Sequence, residues 1–285
     1  MIRHKQITTL SPNFVNKKLK EFFKEDEITE DITTKATQKD NKIVEASFVA
    51  KERMVFAGKE IIIQGFQECK LIAIKNDGEE VEKGSVIAKL EGPVDIILKK
   101  ERVILNLLQR LSGIASTTKR LKNKLEKNCV QLLDTRKTTP GLRRFEKFAV
   151  YVGGGTNHRF SLKDAVMIKD NHLIGSSSLS KAVESAVKQN PGKDIEVEVD
   201  TKAQLREALE TRATSILLDN FSPKALPDTI NYIRSHKKGS DVYVELSGGI
   251  NESNIDKYNI QGVDGISIGA LTHNISSKDI SLDLK

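Results

Sequence analysis

Residues 130–138 read VQLLDTRKT: a short apolar run that breaks into Asp134, Thr135, Arg136, Lys137 and Thr138. The same pattern returns in VMIKDN (166–171), IEVEVDT (195–201), ILLDN (216–220), VYVELSGG (242–249) and GISIGA (265–270). Between most of these runs lies a helix-length amphipathic segment, such as SLSKAVESAVKQN, KAQLREALE or PKALPDTINYIRSHK. Nearly continuous apolar strands alternating with helices predict parallel strands covered on both faces. Such units wind an open sheet or close a barrel. Chemically rich residues end every run, which favours the barrel, because there all the strand C-termini meet on one face. An open sheet would gather its chemistry at a single switch point. No GxGxxG follows the first strand, so the sequence offers no dinucleotide site.

The shared face would display Thr135, Arg136 and Lys137 from the first strand and Lys169 from the second, with GGGTNHR (153–159) before it. Glu198 and Asp219 follow on the third and fourth strands, Ser247-Gly248-Gly249 on the fifth and Gly269 on the sixth. Glycines let backbone N–H groups approach an anion, and phosphate sites in barrels favour the final strands. Arg136 and Arg159 are suited to gripping carboxylate or phosphate with two hydrogen bonds, and Lys137 and Lys169 act as point charges. Glu198 and Asp219 are suited to a divalent ion, to sugar hydroxyls or to a developing carbocation. The face therefore suits a small, strongly anionic substrate. His172 reads as a residue that orients a loop. His4 and His236 have no chemical context and read as surface residues.

Upstream the chain has another character. Ser11-Pro12 followed by Phe14, Val15, Leu19, Phe22 and Phe23 at helical spacing predicts an amphipathic helix over 12–25. From 42 to 98, the alternating IVEASFVAK and the short runs IIIQGF, CKLIAIK, SVIAKLEG and VDIILK are separated by turn signals at Asn76-Asp77-Gly78, Lys83-Gly84 and Gly92-Pro93. This predicts a small antiparallel α+β domain, with residues 61–66 open to strand or helix. DGEEVEKGSVIAKLEG has the flavour of a biotinyl-type module, but no attachment lysine sits in a suitable hairpin tip.

The chain has 285 residues, enough for a barrel with a smaller partner domain. Its 46 Lys and Arg against 39 Asp and Glu leave a net charge of +7, which raises the expectation of anionic partners. Aromatic residues are only 5% and no basic stretch is interleaved with them, so no nucleic-acid partner is expected. NKKLK (16–20) and HKK (236–238) read as solvated faces. Cys69 and Cys129 are too few and isolated for a disulfide framework or a zinc site, which fits a cytoplasmic setting. The N-terminal residues lack a leader's apolar core, and no run approaches the roughly 18 apolar residues of a membrane span.

Four long motifs, ERVILNLLQRLSGIAS (101–116), DTRKTTPGLR (134–143), GGGTNHR (153–159) and DAVMIKDNH (164–172), resemble the quinolinate phosphoribosyltransferase family (nicotinate-nucleotide pyrophosphorylase, carboxylating). EVEVDT, LLDN, ELSGGI and GALTH resemble its later strands in order. EDITTKAT and DGEEVEKGSVIAKLEGP resemble its N-terminal part, so the likeness covers nearly the whole chain.

The resemblance implies a type II phosphoribosyltransferase: an incomplete, seven-stranded α/β barrel over 113–273 and an N-terminal α+β open-faced sandwich over 1–112, joined by the tail 274–285. It implies a pentosyltransferase that joins quinolinate to 5-phosphoribosyl 1-pyrophosphate and releases nicotinate mononucleotide, CO2 and pyrophosphate, with Mg2+ as cofactor. Arg136, His158, Arg159 and Lys169 then grip the carboxylates, with Thr135 nearby, while Lys137 and Lys169 face the phosphoribosyl donor. Glu198 and Asp219 hold ribose hydroxyls or Mg2+. Ser247, Gly248, Gly249, Gly269 and His273 hold the 5-phosphate. Arg102 enters the site from a neighbouring subunit, which implies a homodimer, with a hexamer as the larger alternative. Tyr151-Val152, Ser161 and Lys119 depart from the family's usual residues without removing an assigned charge. A ModD-like paralogue with a different acceptor is the alternative within the same fold.

Overall fold

Ser11-Pro12 starts helix α1 (Pro12–Glu25), which buries Val15 and Leu19 and meets the expected range. The computed structural model describes residues 3–38, 40, 42–174, 176 and 178–285. Asp31 caps α2 (Ile32–Thr37) by accepting hydrogen bonds from the Thr33 and Thr34 backbone N–H groups. Strands β1 (Ile43–Ala50) and β2 (Met54–Val55), helix α3 (Lys59–Gly65) and strands β3 (Lys70–Ile74), β4 (Glu80–Val81) and β5 (Val86–Pro93) follow, and then helix α4 (Val94–Lys124).

The open choice at IIIQGF resolves to helix α3. The Asp77 carboxylate accepts from Gly58 N at 2.5 Å and Lys59 N at 3.0 Å, which satisfies two donors that a helix start leaves free. Gly58 sits at φ +134°, and a Cβ there would lie 2.4 Å from Leu108 Cδ2, so glycine is required at this entry. VDIILK, grouped above with the strand-like runs, is instead the first two turns of α4. Ile97, Ile104, Leu108 and Leu111 recur at helical spacing and are buried, and Asp95 pairs with Lys99 one turn on at 3.0 Å.

The barrel strands are β6 (Gln131–Leu133), β7 (Val166–Ile168), β8 (Ile195–Val199), β9 (Ser215–Asp219), β10 (Tyr243–Ser247) and β11 (Gly265–Ser267), one for each run read above. Helices α5 (Arg143–Val152), α6 (Asp170–Leu173), α7 (Leu179–Gln189), α8 (Lys202–Glu210), α9 (Leu226–Ser235) and α10 (Ala270–His273) lie between or after them. Ser178 caps α7, and Thr201 caps α8 with a reciprocal bond from Gln204. The six strands form one parallel sheet in the order β6-β11-β10-β9-β8-β7.

A seventh position stands beside β6. Thr156 N donates to Leu132 O at 2.7 Å and Asp134 N to Thr156 O at 3.1 Å. Chain order thus runs round a ring of seven. Among the described residues no ladder joins the Thr156 segment to β7, so the barrel is open along that seam. The last strand, β12 (Ile280–Leu284), pairs antiparallel with β1 to give the sheet β12-β1-β5-β3.

Contacts divide the chain into two compact units. One holds residues 3–6, Arg120–Thr138 and Gly155–His273 and contains the barrel strands. The other holds Ile7–Lys119, Thr139–Gly154 and Asn274–Lys285, with the antiparallel sheet, most of α4, and α5. Within this second unit the Phe145 ring meets Phe14 at 5.0 Å and Phe22 at 6.4 Å. A Cβ on Gly153 would lie 2.4 Å from Ala115 O, so the first of the three glycines serves close packing against α4 rather than a ligand. No helix among the described residues is long and apolar enough to cross a membrane.

Candidate active site

A cleft of about 420 Å³ opens within the barrel unit. Its lining comes from the C-terminal ends of all six strands and from the His158-Arg159 pair. Ten of the residues expected to meet at one face line it: Thr135, Arg136, Lys137, His158, Arg159, Lys169, Glu198, Asp219, Ser247 and Gly269. Strand register explains part of this convergence. Asp219 and Ser247 are direct neighbours across the β9–β10 pair and project from the same rim.

Arg136, Lys137, Arg159 and Lys169 bring positive charge to the cleft. Arg159 is buried, and its guanidinium donates to Ala165 O at 2.9 Å and to Met167 Sδ at 3.4 Å. Burial, and then the neighbouring charge of Arg136, push its pKa below the usual arginine value. Arg136 Nε is itself buried without a hydrogen-bond partner among the described residues. Two guanidinium groups close enough to repel, one with an unpartnered donor, form a place for an anion. The Lys137 backbone N–H donates to Thr135 Oγ1 at 3.0 Å, and Lys137 O accepts from Thr272 at 2.7 Å, which fixes the turn that carries Lys137.

Acidic groups line the same cleft. Lys169 forms an ion pair with Glu198. Burial raises the Glu198 carboxyl despite that pairing, and Asp219 and Asp200 add to the rise. His172 Nδ1 accepts from Lys169 N at 3.0 Å, so His172 orients the turn. Asn220, in the left-handed region at φ 55°, donates from its side chain to Asp219 at 2.6 Å.

The remaining expected residues lie elsewhere. Gly248 and Gly249 follow Ser247 at φ +92° and +63°, outside the lining. A Cβ on Gly248 would lie 2.6 Å from Asn220 N, so its place belongs to glycine. His273 is exposed beside Gly269: a Cβ on Gly269 would lie 3.1 Å from His273 Nε2 and 2.8 Å from Lys137 Cδ. Arg102 lines a different cleft, in the unit of α4, with Asp26, Glu27, Glu30, Asp31 and Lys99.

His158 belongs to a buried polar layer whose carboxylates, Glu196 and Glu245, the motif reading missed. His158 Nε2 lies 3.1 Å from Glu196 Oε2 and 3.6 Å from Glu245 Oε2. Arg159 N donates to His158 Nδ1 at 2.7 Å, which leaves the ring proton on Nε2, facing the two carboxylates. Burial opposes the Glu196 charge, but contacts from His158, Arg3 and Ser215 outweigh it, and its carboxyl sits below the usual range. Glu245 goes the other way: burial and then Glu196 push its carboxyl up. Asp134, fully buried, accepts from Asn157 Nδ2 and from His158 N, both at 2.8 Å.

The two histidines set aside as surface residues are both partly covered. The His4 ring packs on His158, with centroids 4.6 Å apart and planes tilted by 37°, and His236 Nε2 lies 3.0 Å from Glu210. The signal for the buried layer was present in IEVEV: Glu196 and Glu198 are two apart on one strand and so share a face.

Comparison with known proteins agrees with this geometry. The family model for the quinolinate phosphoribosyl transferase N-terminal domain matches residues 31–112, and that for its C-terminal domain matches 114–283. A probable nicotinate-nucleotide pyrophosphorylase [carboxylating] of Bacillus subtilis is 43% identical over 95% of this chain and 93% of its own length. One of Methanocaldococcus jannaschii is 43% identical over 89% of this chain and 91% of its own. The solved nicotinate-nucleotide pyrophosphorylase of Francisella tularensis superposes with a TM-score of 0.90 at 34% identity, covering 99% of this chain and all of that one. The convergent cations, the seven-position open barrel and the full-length similarity together place the chain in the quinolinate phosphoribosyl transferase family.

Proposed function

We propose that the protein transfers the phosphoribosyl group of 5-phosphoribosyl 1-pyrophosphate to quinolinate with decarboxylation, giving nicotinate mononucleotide, CO2 and pyrophosphate. The observation that carries the reading is the pairing of buried Arg159 with Arg136 at a cleft that also displays Lys137 and Lys169. Quinolinate brings two adjacent carboxylates, and the donor brings a phosphate and a pyrophosphate. So many anions in one site need fixed cations to offset their repulsion.

In this reading Arg136 and Arg159 grip the carboxylates, with Thr135 and His158 beside them. Lys137 and Lys169 face the donor. Lys169 leaves Glu198 for the incoming anion, which frees that carboxylate for the ribose. Glu198 and Asp219 stabilise positive character at the ribose C1 as pyrophosphate leaves. Ser247, Gly248, Gly249, Gly269 and His273 hold the 5-phosphate. Two hard carboxylate oxygens beside a diphosphate-binding face suit Mg2+, which such sites bind through one or two carboxylates and substrate oxygens. Held there by Glu198 and Asp219, the ion would offset charge on the pyrophosphate. Decarboxylation of the nucleotide needs no further group, because the quaternised ring nitrogen stabilises the charge left at C2. The two free thiols fit a cytoplasmic setting.

The test is incubation with quinolinate, the phosphoribosyl donor and Mg2+, following nicotinate mononucleotide by chromatography. Folded protein that yields no product refutes the assignment.

Arg102 extends the reading to a homodimer in which each copy lends this arginine to the other's cleft. Inactive Arg102→Ala protein mixed with inactive Lys137→Ala protein is expected to regain activity, because a mixed dimer has one site with both lesions and one with neither. Subunit exchange is checked by mass spectrometry of tagged chains. Full exchange without turnover places Arg102 in its own subunit.

A further inference from the structure

The barrel unit includes residues 3–6, and each polar side chain this segment directs inward ends at the substrate-facing turn or the carboxylates behind it. The Gln6 side chain holds the backbone of Asn157 on both its polar groups: Gln6 Nε2 donates to Asn157 O at 3.0 Å, and Asn157 N donates to Gln6 Oε1 at 2.7 Å. Arg3 lies 3.5 Å from Glu196 Oε1 and 3.8 Å from Asp194, with its guanidinium over the Tyr243 ring at 5.0 Å. The other oxygen of Glu196 meets His158 Nε2. The His4 ring packs on His158, and burial, followed by the charges of His158 and Arg3, holds the His4 pKa down to about 4. At neutral pH the contact is therefore not a pair of like charges.

The position of this clamp is informative. Asn157-His158-Arg159 directly follows Thr156, the seventh position of the ring, where one side bonds to β6 and the other is the open seam. A regular strand would be held from both sides. Here Asp134 holds the turn from within, and Gln6 holds it through its two-way amide contact.

We infer that Arg3, His4 and Gln6 are positioning residues for the acceptor's carboxylates. They fix the turn so that Arg159 presents its guanidinium to the cleft and His158 keeps its Nε2 proton toward Glu196. Arg3 also ties Glu196 through Oε1, the oxygen that His158 does not use. The inference rests on quinolinate being the acceptor, and it assigns the N-terminal segment to that substrate and not to the phosphoribosyl donor.

The test is steady-state kinetics on Arg3→Ala, Arg3→Lys, Gln6→Ala and Gln6→Asn, with thermal melting of each. A misplacement near 1 Å costs about 10²-fold, so Arg3→Ala and Gln6→Ala should raise the quinolinate KM by roughly 10- to 100-fold. The donor KM should stay within about threefold, and Arg3→Lys should recover most of the loss. Gln6→Asn keeps the amide but withdraws it by one methylene, so a selective quinolinate defect in this milder variant reports misplacement even if Gln6→Ala fails to fold. Folded variants with an unchanged quinolinate KM, or with both KM values raised alike, overturn the inference. Wild-type protein that makes no nicotinate mononucleotide removes the acceptor assignment as well, whereas active wild type with unaffected variants removes only the positioning role.

Discussion

Nicotinic acid is expected to turn over at least about 10⁴-fold less efficiently than quinolinate, measured as kcat/KM at saturating phosphoribosyl donor. It lacks the carboxylate at C2, so part of the Arg136 and Arg159 pair proposed to grip the carboxylates is left without an anion. Sites built around a polar group reject analogues that lack it by roughly 10⁴-fold or more, because the partners are desolvated and unsatisfied. The structure sharpens this expectation. Burial and mutual repulsion already disfavour the charge on Arg159, and Arg136 Nε has no partner among the described residues. Phthalic acid keeps both carboxylates but has no ring nitrogen to attack C1, so it should compete with quinolinate and give no product. Nicotinic acid within tenfold of quinolinate would show that the second carboxylate is not what the pair recognises.

Arg159→Ala should weaken quinolinate binding by on the order of 2–5 kcal/mol, the range for truncating one partner of a desolvated charge-assisted contact. The donor's affinity should change far less. Arg159 is fixed by Ala165 O and Met167 Sδ and is buried, so few other side chains can move in to replace it. Calorimetric titration with each substrate separates the two effects. Equal losses for both substrates would place Arg159 between them rather than on the acceptor. A small overall change would mean that Arg136 alone carries the anion.

The barrel was readable because its strands are covered on both faces and appear as apolar runs with reactive residues directly after them. That pattern located Lys137, Lys169, Glu198, Asp219 and Ser247 on one rim without knowledge of the helices between. Short apolar runs upstream carried no such information. IIIQGF becomes α3 through a cap from Asp77, far along the chain from Lys59, and VDIILK becomes helix because the apolar spacing continues through a 31-residue element. The buried layer was hidden for a related reason. Glu196 looks like one more polar residue in an alternating strand until Arg3, 193 positions away, and His158, 38 positions away, are brought to it by the fold.

The pairing of β12 with β1 has a consequence for how the protein is made. Strand β1 meets β5 on one side soon after synthesis, but its other edge waits for Ile280–Leu284, the last strand of the chain. The interval from Pro93 to Ile280 is 187 residues, which a ribosome working at about 5–20 residues per second takes roughly 10–40 s to cover. Until Ile280–Leu284 is made, that edge of β1 lacks the strand that pairs with it in the folded protein, and an unpaired edge is the kind of surface that pairs with other chains. Slow or stalled translation between the codons for Pro93 and Ile280 should therefore lower the yield of native protein more than an equal delay before β1 is made, measured as soluble protein from messages with rare codons placed in each interval.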